Sequence, residues 1–239
     1  MPERAAKTQA PPTLDPRVPL MLLLSFVTGL VDAISVLGLG KVFTANMTGN
    51  VVFLGFAAAG APNFHAMSYL VAIAAFLLGA IIAGRMGKLQ VHRSLPEWMF
   101  RAALIEVVLL WIAAWVSLEF DVAQQRPDER LYAIIALTAI SMGFRNATIR
   151  QFKIPDLTTT VLTLTLTGLA ADSALGGGSN TNWPVRTAAV LAIFVGAVFG
   201  ALLLSHSGIA LALFIAGALV LSGTTAFIIH APKARLPNN

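Results

Sequence analysis

Long apolar runs, separated by short charged joints, dominate this sequence and limit the folds open to it. The hydrocarbon core of a bilayer is about 30 Å thick, so a helix needs about twenty apolar residues to cross it. A spanning segment must also satisfy its own backbone hydrogen bonds, as an α-helix does. The sequence therefore predicts an all-α integral membrane protein. Its apolar runs lie at about residues 18–38, 42–60, 65–84, 100–118, 131–148, 156–172, 186–205 and 208–230.

The composition excludes several other classes of protein. Hydrophobic residues make up 57% of the chain and charged residues 11%, with a mean hydropathy of +0.79, whereas soluble domains carry about 25% charged residues. The net charge is +5, but most basic residues lie in the tails and joints, where membrane topology explains them. We therefore expect no nucleic-acid partner. Cysteine is absent, which excludes disulfides, thiol catalysis and cysteine-ligated metals.

A short motif occurs twice inside the apolar sequence. Residues 29–33 read Gly-Leu-Val-Asp-Ala, and residues 143–147 read Gly-Phe-Arg-Asn-Ala, 114 positions later. Each copy is followed by a polar, Thr-rich stretch, at 43–50 and at 157–163. Unpaired polar groups in hydrocarbon cost several kcal/mol each, roughly. The duplication therefore predicts the working part of the protein and a pseudo-symmetric architecture.

The two runs that contain these polar stretches differ from the others. The second run is uninterrupted only over 51–59, and the sixth carries six Thr residues between Asp156 and Asp172. If all eight runs crossed the membrane, the basic joints would lie on the face opposite the basic tails. If instead runs two and six enter and leave on one face, those joints and both termini share the cytoplasmic side. This favours six crossings plus two broken or re-entrant elements.

Three crossings in each half give the two halves opposite orientations. We predict a polar, disordered tail at 1–16, one membrane domain at 17–230 and a cytoplasmic tail at 231–239. Within the domain the pseudo-repeats are about 17–118 and 131–230. Inverted repeats with discontinuous helices recur in transporters and channels.

Asp32 is the one carboxylate inside a motif, so it is the first candidate for a cation or proton site. An ionisable residue within a span is a functional candidate by default. The alternative is an interfacial Asp that pairs with Lys41 or caps the second run. The other polar residues of the motifs either contact a solute or satisfy backbone groups freed where a helix breaks. The predicted substrate-binding residues are Asp32, Asn46, Thr48, Asn50, Asn146, Thr160 and Thr163.

Glu106 lies a third of the way into the fourth run and is a possible proton or charge site. A buried ionised carboxylate requires a basic partner, for which Arg145 and Arg150 are candidates. The competing interpretation is an ion pair with Arg101 at the end of the helix. Membrane anchoring explains Arg145 and Arg150 without a function, and binding of an anionic solute is the alternative.

The sequence contains no set of residues typical of an enzyme. The four His residues have no metal-ligand spacing, and the glycines at 176–178 match no phosphate-binding loop. We therefore expect no catalytic residues, no metal and no cofactor. The leading hypothesis is a small-solute or ion transporter or channel, and the alternative is a non-transporting structural or interaction protein. The expected partners are the lipid bilayer and an unidentified solute or ion, and oligomerisation stays open.

The strings at 29–33, 43–50 and 143–147, with residues 156–160, resemble those of the YoaK-like family. This family comprises small bacterial multi-pass membrane proteins whose function is unassigned. The resemblance covers about residues 18–230. It implies an integral protein of the bacterial inner membrane and supplies neither a substrate nor catalytic residues.

Overall fold

The computed structural model describes residues 15–89, 95–151, 162–179 and 182–230, which contain helices and no named strand. Five of the helices are long and apolar enough to cross a membrane. The prediction of an all-α membrane protein is confirmed. The helices are α1 (Val18–Gly38), α2 (Met47–Ala58), α3 (Ala66–Leu89), α4 (Leu95–Val116), α5 (Asp128–Gln151), α6 (Leu162–Ala171) and α7 (Trp183–His230).

Local sequence signals explain where several helices begin and end. Proline lies in the first turn of three helices, where a missing N–H costs nothing; these residues are Pro19, Pro96 and Pro184. Helix α5 has Asp128 and Glu129 in its first turn and Arg150 in its last. These charges complement the helix dipole at both ends.

Helix α7 folds back on itself at Gly208. Its 48 residues would extend for about 72 Å if straight, more than twice the hydrocarbon core. Gly208 has φ 76° and ψ 179°, which breaks the helix. Val185 lines a cavity with Leu22 near the start of α1, and Gly223 packs on Leu23. The two arms of α7 (183–207 and 209–230) therefore run along α1 in opposite directions.

Glycines bring α1 and the first arm of α7 into backbone contact. A Cβ on Gly29 would overlap the carbonyl oxygen of Ile193, and a Cβ on Gly196 would overlap that of Phe26. Small residues permit this close approach between membrane helices. A helix from the first half of the sequence is thus packed against one from the second half.

The same interface occurs between α3 and α5. A Cβ on Gly143 would overlap the carbonyl oxygen of Phe76, and a Cβ on Gly79 would overlap that of Ile140. Gly29 and Gly143 are the first residues of the two motif copies. In both interfaces the contacted carbonyl precedes the partner glycine by three residues, so the two helix pairs pack alike.

Contacts at the helix termini define two ends of the bundle. At one end, Gln125 donates from Nε2 to the carbonyl of Gly38 at 3.0 Å, and Arg130 donates to that of Val116 at 3.0 Å. We call this the Gly38 end, and the opposite one the Val18 end. Helices α1 and α4 and the first arm of α7 run towards the Gly38 end, whereas α3, α5 and the second arm run away from it.

Within the described residues, the two remaining helices are shorter than a bilayer crossing. Helix α2 has 12 residues and α6 has 10, which corresponds to about 18 and 15 Å. Helix α2 leads back to the Gly38 end, where Phe56 contacts Phe64. Helix α6 leads to the Val18 end, where Asp172 pairs with Arg186 near the start of α7. Helix α2 thus ends at the face where α1 ends, and α6 ends at the face where α5 ends.

Candidate functional site

A cavity of about 730 Å³ lies between α1, the loop before α2, α2, α6 and the first arm of α7. We call it the central cavity. Asp32 lies about 21 Å along α1 from Val18, and Asn46, Thr48 and Thr163 on the cavity wall are exposed. Both halves of the sequence contribute to its walls. Its lining includes Thr28, Asp32, Asn46, Thr48, Thr163 and Ile193.

Asp32 holds the loop that leads into α2. Its Oδ1 accepts hydrogen bonds from the backbone N–H of Thr44 at 3.2 Å and of Ala45 at 2.9 Å. The side chain is half-buried and lines the central cavity. Lys41 instead lies with its ammonium 5.0 Å from the ring centroid of Phe64. Asp32 therefore anchors two loop amides while its carboxylate also borders the cavity.

Asn50 fastens the same loop from the α2 side. Its Oδ1 accepts from the N–H of Phe43 at 2.9 Å, and its Nδ2 donates to the carbonyl of Phe43 at 2.6 Å. Asn50 is fully buried and does not line the central cavity. The side-chain amide of Asn50 thus bonds to both the N–H and the carbonyl of Phe43. Their effect is to satisfy backbone polar groups that hydrocarbon would leave unpaired.

The first turn of α2 faces the central cavity. Asn46 is its N-cap residue, but the Asn46 side chain makes no capping hydrogen bond. The first N–H groups of a helix have no partner within the helix, and Thr48 and Gly49 line the cavity. Thr163, at the start of α6, lines it from the opposite side. Two short helices thus present their N-terminal ends to one cavity.

A buried ion pair lies beside this cavity. Arg145 donates from Nε and Nη2 to Oε1 of Glu106, with an Nε–Oε1 distance of 2.7 Å. Its Nη1 donates to Oγ1 of Thr28 at 3.1 Å and to the carbonyl of Leu24 at 3.2 Å. Both charged residues are 3% exposed. The pair joins α4, α5 and α1, and Thr28 links it to the wall of the central cavity.

Comparison with known proteins identifies the family. The family model described as "Protein of unknown function (DUF1275)" matches residues 20–226. The chain belongs to this family. It is also 35% identical over 153 residues to "UPF0700 transmembrane protein YoaK" of Bacillus subtilis (strain 168), covering 64% of this chain and 65% of that relative. The match thus spans slightly less than two thirds of the relative's length. No solved structure matches.

Membership of the DUF1275 family confirms the resemblance noted in the sequence. Together with the apolar helices, it makes this chain a transmembrane protein. The family description names no activity.

The structure brings together some of the residues that we predicted for the site of this DUF1275 protein. Asp32, Asn46, Thr48 and Thr163 line the central cavity, whereas Asn50 holds the loop behind it. Asn146 is half-buried on α5 and does not line the cavity. Thr160 lies outside the described residues, as do the tail residues 1–14 and 231–239.

The structure places Arg145 in a buried ion pair, which differs from the interpretation of Arg145 as a membrane anchor. Glu106 pairs with Arg145 rather than with Arg101, and Arg145 is buried rather than anchored at the surface. Arg150 is exposed. Sequence reasoning named Arg145 as a possible partner, because opposite charges inside two apolar runs require one another. It missed Thr28, since a lone Thr in an apolar helix usually bonds back to its own helix.

Proposed function

We propose that this protein is a small-solute or ion transporter or channel of the bacterial inner membrane, with no enzymatic activity. Its substrate site is the central cavity, between the two polar motifs. The observation that carries the proposal is this cavity of about 730 Å³ at membrane depth, lined from both halves. A volume of this size suits a small molecule.

The helix arrangement supports an inverted repeat with six crossings. The crossings are α1, α3, α4, α5 and the two arms of α7, and α2 and α6 are re-entrant. The glycine interfaces pair α1 with the first arm of α7 and α5 with α3 in the same manner. Helix α1 runs towards the Gly38 end and its repeat partner α5 runs away from it, as opposite orientations require. Discontinuous helices that meet near the bilayer midplane are typical of transporters.

The distribution of charge supports a cytoplasmic Val18 end. Lys and Arg accumulate on the cytoplasmic side of membrane proteins. The acidic residues of the α4–α5 joint lie at the Gly38 end; they are Glu119, Asp121, Asp128 and Glu129. Among the described residues, three Lys and Arg lie at the Gly38 end (Lys41, Arg126 and Arg130), against six at the Val18 end; the six are Arg17, Arg85, Lys88, Arg101, Arg150 and Arg186.

The chemistry of the cavity wall supports solute binding. The uncapped first turn of α2 offers N–H donors, which in hydrocarbon require water or a solute. Thr48 and Thr163 add hydroxyl groups from the two re-entrant helices. Groups of this kind replace the hydration shell of a permeating solute.

A structural or interaction protein is the second candidate, and one observation favours it. Asp32 and Asn50 both bond to the backbone of the loop before α2, so part of the polar motif serves the fold. In a scaffold the cavity would be dry or filled by lipid, whereas a transporter requires water access.

Cysteine accessibility distinguishes the two functions, because the chain has no native Cys. We expect Thr48→Cys and Thr163→Cys to react with a charged, membrane-impermeant thiol reagent applied to both faces of the membrane. Leu78→Cys, on the outer surface of α3, and Leu213→Cys, in the core, serve as unreactive controls. If Thr48→Cys and Thr163→Cys react with the reagent as little as Leu213→Cys does, a solvated site is ruled out.

Untargeted metabolite uptake by proteoliposomes then tests transport itself. We expect uptake of at least one solute or ion by the native protein and its loss in Thr48→Trp, whose side chain fills the cavity. A solvated cavity without any uptake over empty liposomes would contradict transport.

A further inference from the structure

A second cavity, of about 420 Å³, opens at the Gly38 end of the bundle. We call it the end cavity. It shares no lining residue with the central cavity. Its walls come from the α1–α2 loop, the α2–α3 loop, the α4–α5 joint and the first turns of α3 and α5. The lining includes Lys41, Asn63, His65, Gln125, Arg126 and Asp128.

The end cavity carries an excess of basic groups. Among the described residues that line it, Asp128 is the single acidic one, against Lys41, Arg126 and His65. The ion pair of Arg126 with Asp128 is loose, at 3.6 Å, with side chains 69% and 51% exposed. Such exposed pairs are worth about 0–1 kcal/mol, so a ligand can displace Asp128.

Lys41 is free to meet an anion. It forms none of the ion pairs found in the described part of the chain. Its ammonium lies 5.0 Å from the ring centroid of Phe64. A cation–π contact positions an ammonium without neutralising its charge.

Unusual backbone conformations gather around this cavity. Four of its lining residues have left-handed φ values; they are Gly40 (77°), Lys41 (64°), Asn63 (63°) and Gln125 (54°). In residues other than glycine this conformation is uncommon and costs on the order of 1 kcal/mol or more. Such conformations persist only where the surroundings impose them, and they cluster at ligand sites.

The wall that carries Gln125 is held in place. Its Nε2 donates to the carbonyls of Gly38 at 3.0 Å and Val122 at 2.6 Å. The joint between the two halves is therefore fastened to the end of α1, which makes the cavity a preformed one.

We propose that the end cavity binds a small multivalent oxyanion, bearing phosphate or carboxylate groups, through Lys41 and Arg126. Both groups offer oxygens to the ammonium and the guanidinium, which bind such anions in charge-assisted hydrogen bonds. The cavity volume admits a small organic acid or phosphate ester. The loop that contains Lys41 also reaches Asp32 through Thr44 and Ala45, so an anion here contacts the segment that borders the central cavity.

Equilibrium binding to the purified full-length protein tests this site without any transport assay. Citrate and inorganic phosphate are the ligands, measured by calorimetry and by the thermal unfolding midpoint against NaCl of matched ionic strength. We expect at least one anion to bind saturably. Lys41→Asn, which suits a left-handed position, and Arg126→Gln should each weaken binding about tenfold or more, as loss of a charged hydrogen bond does.

Lys88→Gln and Arg101→Gln provide controls at the Val18 end with the same change of charge. They should bind the anion as the native protein does. Absence of saturable binding of both anions would overturn the proposal. Equal affinity in Lys41→Asn, Arg126→Gln and the controls would overturn it as well, since the anion would then be held elsewhere.

Discussion

Replacement of Gly79 by Ala tests the helix pairing most directly. A Cβ on Gly79 would lie closer than 3.0 Å to the carbonyl oxygen of Ile140, whereas an ordinary contact needs about 3.4 Å or more. The obstacle is backbone, so no side chain can rotate away. Helices α3 and α5 must separate by about 1 Å, which weakens dispersion contacts along the whole interface. We expect a loss of about 1–3 kcal/mol of stability, the range of overpacking.

Gly84→Ala is the matched control in the same helix. A Cβ on Gly84 meets nothing within 4 Å, and Ala favours a helix over Gly by about 1 kcal/mol. The measurement is the thermal unfolding midpoint of the detergent-purified protein by size-exclusion chromatography after heating. Gly79→Ala should unfold below the native protein, and Gly84→Ala at or above it. If the two variants unfold at the same temperature, the backbone contact between α3 and α5 is wrong.

A glycine of the interface between α1 and the first arm of α7 extends this prediction. Gly196→Ala, which would meet the carbonyl oxygen of Phe26, should cost about as much as Gly79→Ala. The double variant should lose the sum of the two, because the sites lie in different interfaces with no shared partner. A Gly196→Ala variant as stable as the native chain would argue against an equivalent packing of the two helix pairs.

Three further predictions concern charge and topology. Asp32→Asn keeps an oxygen acceptor for the loop, so we expect normal membrane accumulation with loss of any ion or proton coupling in uptake assays; failure to accumulate would make Asp32 a structural residue. Glu106→Leu leaves Arg145 buried without a counter-charge, at a cost of about 3–5 kcal/mol. The double variant with Arg145→Met should unfold at a higher temperature than Glu106→Leu alone, and the reverse order would contradict the ion-pair argument. Cysteines at Gly60 and Ser179 should be labelled from opposite faces of the membrane, with Gly60 on the non-cytoplasmic face. Labelling of Gly60 from the cytoplasm would contradict the inverted repeat.

Run length and hydropathy by themselves determined the helices of this protein. The eight apolar runs correspond to six helices and the two arms of α7, since hydrocarbon admits only segments that satisfy their own backbone. The polar interruptions of runs two and six predicted broken or re-entrant elements, and the described parts of these runs form the short helices α2 and α6. The length of an apolar run and its polar interruptions are local properties, so composition and spacing are enough to identify them.

Tertiary structure decided what each polar residue does. Asp32 was recognisable as important, but only the fold shows that Thr44 and Ala45 donate to it. Glu106 had three arginines as candidate partners, and the choice of Arg145 depends on how α4 packs on α5. A polar group in hydrocarbon requires a hydrogen-bonding or charged partner. The sequence shows that a partner is required, but it does not show which residue it is. That partner is set by how the helices and loops pack, which no spacing along the chain reveals.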